Sequence, residues 1–310
     1  MRIAIVGAGG VGGVLGARLA RSGVSVAFVA RGEHLRAMRS RGLKVISPDD
    51  EIVVPKVEVS DDPRELGPSD AVFLCVKLYD LEAAARASAP LLRPDTLVVP
   101  LQNGVEADDL VKRCLPGRRI LTGVAYVTSS VTAPGEIRQT SSLLKIAFGS
   151  RSGAADPRAA KLESACRGAG IDATLSRDIE VRLWEKFVFL ASVSAITCLG
   201  DLRLGEIRSC DETRALLADA MREVVAVGRA HGARLADDVV DRALGVADSL
   251  PPETTSSMHH DLASGRRLEV DWLSGAVVRL GREKGIDAPI HRTAHACLKP
   301  RAGGAAKSGA

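Results

Sequence analysis

Two groups of residues in this 310-residue chain carry chemistry by their type and spacing. The first is Gly7-Ala8-Gly9-Gly10-Val11-Gly12, a G-x-G-x-x-G run. It follows the apolar stretch Ile3 to Val6 and precedes the helix-compatible stretch Val14 to Ser22. A pyrophosphate seated on a helix N-terminus needs this order. Gly7 permits the tight turn, Gly9 lets backbone approach the phosphates, and Gly12 lets the helix pack closely on the strand. The motif alone is weak evidence. Its strand–turn–helix setting favours a dinucleotide site over a glycine-rich turn of some other α/β protein. After the next strand, Val24 to Val29, NAD sites usually carry Asp or Glu; this chain has Ala30-Arg31-Gly32. A carboxylate would repel a 2′-phosphate, whereas a guanidinium pairs with it through two hydrogen bonds. Arg31 therefore favours NADP(H) over NAD(H), the alternative being a solvated arginine at a strand end.

The second group is scattered. Lys77 follows the strand Ala71 to Val76, and Asn103-Gly104 follows Leu97 to Val99. Loops at the carboxyl ends of parallel strands line the ligand crevice of a doubly wound sheet. There Lys77 would meet a phosphate or ribose and Asn103 a carboxamide; a solvent-facing strand end and an ordinary turn explain them equally well. Lys186, in Trp184-Glu185-Lys186-Phe187, interrupts an apolar helix. Burial lowers the pKa of an amine and suits it to proton transfer, although a snorkelling lysine fits the same pattern. Helical spacing puts Lys186, Leu190 and Ser194 on one face. Glu269, beyond Ser256-Ser257-Met258, is either a partner of Lys186 or substrate, or a first-turn carboxylate favoured by the helix dipole. His259-His260-Asp261 and His291 with His295 offer no three- or four-ligand set, so no metal is expected.

The elements that position these residues change character along the chain. The first half alternates short apolar strands with helical stretches. Leu43 to Ile46, Ile52 to Val59, Ile120 to Val127, Ile137 to Thr140, Leu143 to Phe148 and Ile171 to Leu175 read as further strands. Pro157 starts a helix running to Gly168. From Asp178 onward helical periodicity takes over: Ile179 to Leu199, then Thr213 to His231 with Leu216, Leu217, Ala220, Val224, Val227 and Gly228 on one side. Shorter helices are expected over 236–249, 258–264, 270–284 and 290–299. The expected class is α/β, an amino-terminal Rossmann-type doubly wound sheet (1–175) followed by an all-helical carboxy-terminal domain (176–299). A disordered tail is expected over 300–310.

Composition narrows the partners. The formal net charge is +4 and aromatic residues make up 3%, with no long basic run. Neither a nucleic acid nor an anionic membrane is implied. Six scattered cysteines without C-x-x-C read as reduced thiols of a cytoplasmic protein. The chain enters a fold-forming strand at once, so no signal peptide is expected, and no apolar run reads as membrane-spanning.

Taken together, these stretches resemble the ketopantoate reductase (2-dehydropantoate 2-reductase) family over roughly residues 1 to 298. The resemblance rests on the glycine turn, Val76-Lys77, Asn103-Gly104, Trp184 to Lys186, Ser256-Ser257-Met258, and Glu269-Val270-Asp271 continuing to Gly275. It implies reduction of a small anionic 2-oxo acid with NADPH, in a cleft between the two domains, and is compatible with a homodimer. The family's catalytic lysine falls on Lys186 and its paired carboxylate on Glu269. Cofactor contacts fall on Gly7, Gly9, Gly10, Gly12, Arg31, Lys77, Asn103 and Ser129, and substrate contacts on Asn103 and Ser257. Three positions depart. Pantoate-forming members carry asparagines where this chain has Leu190, Ser194 and Ser274, which leaves the reduction machinery intact and substrate recognition altered. Ser192, Ser194 or Thr197 are the hydroxyls available to compensate. Two alternatives stand beside this reading: another hydroxyacid or opine-type dehydrogenase, and an NADP(H)-binding sensor or scaffold without turnover.

Overall fold

The computed structural model describes residues 1–305. The chain divides into two compact units. One comprises Met1–Gln102 and Glu106–Ile179, the other Asn103–Val105 and the residues from Glu180 onward.

In chain order the first unit contains β1 (Arg2–Val6), α1 (Gly10–Arg21), β2 (Ser25–Val29), α2 (Gly32–Arg41), β3 (Leu43–Ile46), β4 (Glu51–Val54), β5 (Glu58–Ser60) and β6 (Ser69–Leu74). There follow α3 (Leu78–Ala87), β7 (Leu92–Pro100), α4 (Ala107–Cys114), β8 (Arg119–Ile120), β9 (Thr122–Ala133), β10 (Glu136–Gly149), α5 (Pro157–Gly168) and β11 (Asp172–Leu175). Six strands form a parallel sheet ordered β5-β2-β1-β6-β7-β8. Within its central strands Ile3 to Val6 of β1 and Ala71 to Leu74 of β6 are continuous apolar runs, all buried, because both faces are covered. The chain winds outward from β1 to β2 and from β6 to β7, so direction reverses between β1 and β6. Ligands of open α/β sheets bind beyond the strand ends at such a point.

A second sheet, ordered β11-β10-β3-β4 with β9 antiparallel to β10, was not anticipated from the sequence. Ile52 to Val59, read as one strand, splits into β4 and β5, which belong to different sheets. Ile137 to Thr140 and Leu143 to Phe148, read as two strands, form the single strand β10. The polar break between them is a register shift against β9 between Gln139 and Leu144. Helix α1 packs against β1 and β2 of the first sheet and against β3, β4, β9 and β10. A helix covered on both sides must be narrow, and glycines make it so. A Cβ on Gly16 would lie 2.2 Å from the Phe28 ring of β2, and one on Gly13 would lie 1.9 Å from Ile137 Cδ1 of β10.

The second unit contains α6 (Ile179–Gly200, whose first residue belongs to the first unit), α7 (Leu204–Ser209), α8 (Asp211–Ala230), α9 (Val239–Ser249), α10 (Ser257–Ala263), α11 (Ser274–Glu283) and α12 (Pro289–Leu298). Helix α7 was not expected. The helix expected from Val270 begins only at Ser274. Ahead of it a turn is closed by the N–H groups of Trp272 and Leu273 on Glu269 O and of Gly275 on Val270 O. On α8 the stripe Leu217, Ala220, Val224, Val227 and Gly228 is buried. Leu216, expected with them, is 40% exposed, because a step of one residue swings it off the stripe. Contrary to expectation, α6 is long and apolar enough to cross a membrane, yet two thirds of its most apolar stretch is buried within the protein. The expected disorder does not hold for 300–305. A 3₁₀ turn covers Lys299–Arg301, Leu268 N donates to Ala302 O, and Ala305 N donates to Gly265 O. Residues 306–310 lie outside the described residues.

The sandwiched helix gives a stability prediction. Gly16→Ala forces a methyl group into the fully buried Phe28 ring, an overpacking worth roughly 1–3 kcal/mol. Tm should fall by several degrees. Gly9→Ala, where a Cβ would meet nothing within 4 Å, should leave Tm near wild type. Thermal unfolding of both variants checks this; equal Tm for Gly16→Ala and wild type would contradict the packing.

Candidate active site

In the first unit a glycine turn is assembled at the ends of β1, β2 and β6. Gly7 has φ +99, and its N–H and that of Ala8 both donate to Val29 O, at 3.0 and 3.3 Å. This folds the turn over the end of β2. A Cβ on Gly7 would meet Val76 at 2.8 Å, and one on Gly12 would lie 2.2 Å from Gly7 O. Gly10 is closed in the same way by Ser129, whose carbonyl oxygen would lie 2.5 Å from its Cβ. Gly9 alone of these four has open space where a side chain would stand. The glycines thus divide the work. Gly7, Gly10 and Gly12 let protein pack against the turn, while Gly9 leaves a bare approach to the N-terminus of α1. That N-terminus has no side-chain cap and no acidic residue in its first turn. Its exposed N–H groups and dipole suit an anion.

A cleft of about 280 Å³ opens on this turn. Gly7, Gly9, Arg31, His34, Asp61 and Val76 are among the residues lining it. Arg31 precedes α2 in extended conformation, with its side chain exposed at the rim. Lys77 is the partly buried residue just before α3, next to Val76. Ser129 lies on β9 against Gly10, and its buried hydroxyl has no partner among the described residues. These features fit a dinucleotide: an open glycine, an uncapped helix and an unpaired hydroxyl beside it.

Lys186, Asn103 and Glu269 belong to the second unit. Lys186 Nζ donates to Asn103 Oδ1 at 2.8 Å. Asn103 is held by a turn in which Gly104 has φ +107, a conformation that favours glycine. Burial pushes the Lys186 amine down to about 8, and the negative charge of Glu269 opposes that shift. Glu269 is buried at 4% exposure, carried by the turn ahead of α11. Trp184 fixes the rotation of α6. It is buried, stacks on His231 at 6.5 Å, meets Phe187 edge-on, and sits where a Cβ on Gly228 would touch it at 2.7 Å. Residues two apart on a helix point to nearly opposite sides. Anchoring Trp184 against α8 therefore turns Lys186 away from α8.

Leu190, one turn beyond Lys186, is partly buried. Ser194, a turn further, is fully buried, and its hydroxyl has no partner among the described residues. Ser192 is likewise buried and unpartnered, but two residues round the helix from Ser194. Thr197 is already engaged, donating to Val193 O and hydrogen-bonding Ser256 Oγ at 3.0 Å. Ser256 caps α10 by accepting from His259 N, which leaves Ser257 exposed at the first turn. Ser274 hydrogen-bonds the buried His291, whose pKa burial lowers to about 4. His295 bonds Asp271, and His259 bonds Asp201.

Two contributors were not seen in the sequence. Gln102 Nε2 donates to Leu74 O and Val76 O, both at 2.9 Å, fastening the end of β7 to the end of β6. His34 bonds the glycine turn itself. Its only sequence signal is a place three residues after Arg31, one helical turn along the rim.

The comparisons with known proteins bear on this geometry. The model of "Ketopantoate reductase PanE/ApbA" matches residues 3–153, and that of its C-terminal part matches residues 178–302. The chain belongs to the ketopantoate reductase family. A 2-dehydropantoate 2-reductase of Halobacterium salinarum is 33% identical over 94% of this chain and 96% of its own length. Among solved structures, a 2-dehydropantoate 2-reductase of Geobacter metallireducens is 30% identical with TM-score 0.91, covering 97% of this chain and 99% of that one. A ketopantoate reductase of Ralstonia eutropha is 33% identical with TM-score 0.89, covering 97% and 98%.

Proposed function

We propose that the protein reduces a 2-oxo acid to the 2-hydroxy acid with NADPH, the substrate being 2-dehydropantoate or a close relative of it. The observation that carries this reading is the desolvated Lys186 amine, hydrogen-bonded to Asn103 and within the field of buried Glu269. When bound, the reduced nicotinamide supplies the hydride to the ketone carbon. Lys186 Nζ gives its proton to the carbonyl oxygen as negative charge develops there, so that C=O becomes CH–OH. The neutral amine left behind takes a proton back from water. A donor with a pKa near the working pH is both protonated and ready to give the proton up. Asn103 holds the ammonium in place, and Glu269 keeps the pKa from falling so far that the donor is lost. Gly9 and the uncapped N-terminus of α1 would hold the pyrophosphate, and Arg31 the 2′-phosphate.

Substrate preference follows from the helix face beyond the lysine. Leu190 offers no hydrogen bond to a substrate hydroxyl, and an apolar wall gains from burying methyl groups. Branched 2-oxo acids without the terminal hydroxyl should therefore compete well with 2-dehydropantoate.

Three outcomes follow. Lys186→Ala should lower kcat by roughly 10²–10⁴-fold with little change in NADPH affinity; near-normal turnover would remove the lysine from the mechanism. Wild type should bind NADPH more tightly than NADH, and Arg31→Glu should erase most of the difference; equal dissociation constants in wild type would contradict the cofactor assignment. In steady-state kinetics, kcat/KM for 2-dehydropantoate and for its dehydroxylated analogue should agree within about tenfold, less than one well-made buried hydrogen bond can discriminate. A preference of several hundredfold for 2-dehydropantoate would show that another group holds the hydroxyl.

A further inference from the structure

His34 joins three segments that are far apart in sequence. Its Nε2 lies 2.8 Å from Ala8 O in the glycine turn, and its Nδ1 accepts from Gly135 N at 3.0 Å. Gly135 is the tip of the β9–β10 hairpin, and this tip is rigidly placed. Its φ is +81, its carbonyl accepts from Lys44 N, and the carbonyl of Pro134 accepts from Arg41. The two bonds together define the ring. With Nδ1 accepting, Nε2 must carry the proton, so the imidazole is neutral and donates to Ala8 O.

The bond to Ala8 O does more than tie down a loop. In a trans peptide the C=O and the following N–H point in opposite directions. Fixing the carbonyl of Ala8 therefore fixes the direction of Gly9 N–H. That N–H has no backbone acceptor among the described residues, and Gly9 is the turn residue with open space before it. We propose that His34 is a positioning residue for the dinucleotide: its neutral ring orients the Ala8–Gly9 peptide so that Gly9 N–H meets the pyrophosphate, and protonation of the ring releases that peptide and weakens cofactor binding. The proposal rests on the dinucleotide reading given above.

The sign follows from the geometry. A protonated ring has no acceptor for Gly135 N–H, so two N–H groups would face each other. Burial holds the pKa of His34 below its ordinary value, with the Ala8 carbonyl pulling the other way. The neighbouring charges are Arg31 and the Glu33–Arg36 pair on its own segment, Asp61 and Asp80 along the cleft, and Arg41 and Glu136 at the hairpin. Affinity should be constant through and above the ordinary histidine range and fall only as pH drops below it.

The test is fluorescence titration of wild type, His34→Ala and His34→Gln with NADH and with NADPH, between about pH 5 and 8. NADH matters because the 2′-phosphate of NADPH itself titrates near 6. The expected result is a Kd for NADH raised roughly three- to thirtyfold in His34→Ala at pH 8. His34→Gln, whose amide can donate to Ala8 O but does not titrate, should bind nearly as wild type at pH 8 and lose the acid limb that wild type shows. Unchanged Kd in His34→Ala, or an acid limb that persists in His34→Gln, would overturn the proposal while leaving the dinucleotide site standing. Failure of wild type to bind either cofactor would overturn both. Should His34→Ala fail to fold, the comparison of wild type with His34→Gln still decides.

Discussion

The second unit is organised around the cost of desolvating one ammonium group. An amine taken out of water loses its proton more readily, and a fully desolvated lysine would be neutral and useless as an acid. Lys186 is stopped part of the way, at about 8. The charge of Glu269 opposes the fall, and the Asn103 side-chain amide oxygen accepts from Nζ and holds the group in place. Each is brought by a separate piece of chain. Asn103 stands on a short segment that follows the end of β7 yet belongs with the helices, and Glu269 stands on the turn that delays the start of α11.

The orientation of that ammonium is decided by an apolar contact. Trp184 fills the space left by the missing side chain of Gly228, and the helix that carries it cannot rotate without opening that contact. The glycine turn of the first unit uses the same device. Gly7, Gly10 and Gly12 accept close protein neighbours, and Gly13 and Gly16 let α1 fit between two sheets. Missing side chains, more than hydrogen bonds, bring these elements to their working distances. Packing leaves open Gly9 and the uncapped N-terminus of α1.

Much of this could be read in the residues. Ile3 to Val6 and Ala71 to Val76 are continuous apolar runs because both faces of the parallel sheet are covered, and such runs announce themselves. The glycine turn, Arg31, and the lysine set in an apolar helix are local patterns of the same kind. The second sheet was not legible, because β3, β4, β9 and β10 are short or partly polar and pair across long separations. The bulge in β10 looked like a strand boundary. Leu216 could not be told from Leu217 by hydrophobicity, since only the rotation of α8 separates them. His34 was invisible for a different reason: its partners are two backbone groups, Ala8 O and Gly135 N, which every residue offers. The compensating hydroxyls were narrowed only by contacts. Thr197 is committed to Ser256, while Ser194 remains on the lysine's face.

In the proposed reaction Lys186 is the proton donor, with its pKa lowered by burial. A donor must be protonated, so turnover should be full below its pKa and lost as pH rises through it. The direct measurement is kcat for 2-oxo acid reduction at saturating NADPH and substrate, followed from about pH 6 to 10. The account predicts a plateau at low pH that falls tenfold per unit above about 8. A rate that stays level to pH 10 would contradict it, since an amine with that pKa would by then have lost nearly all of its protons.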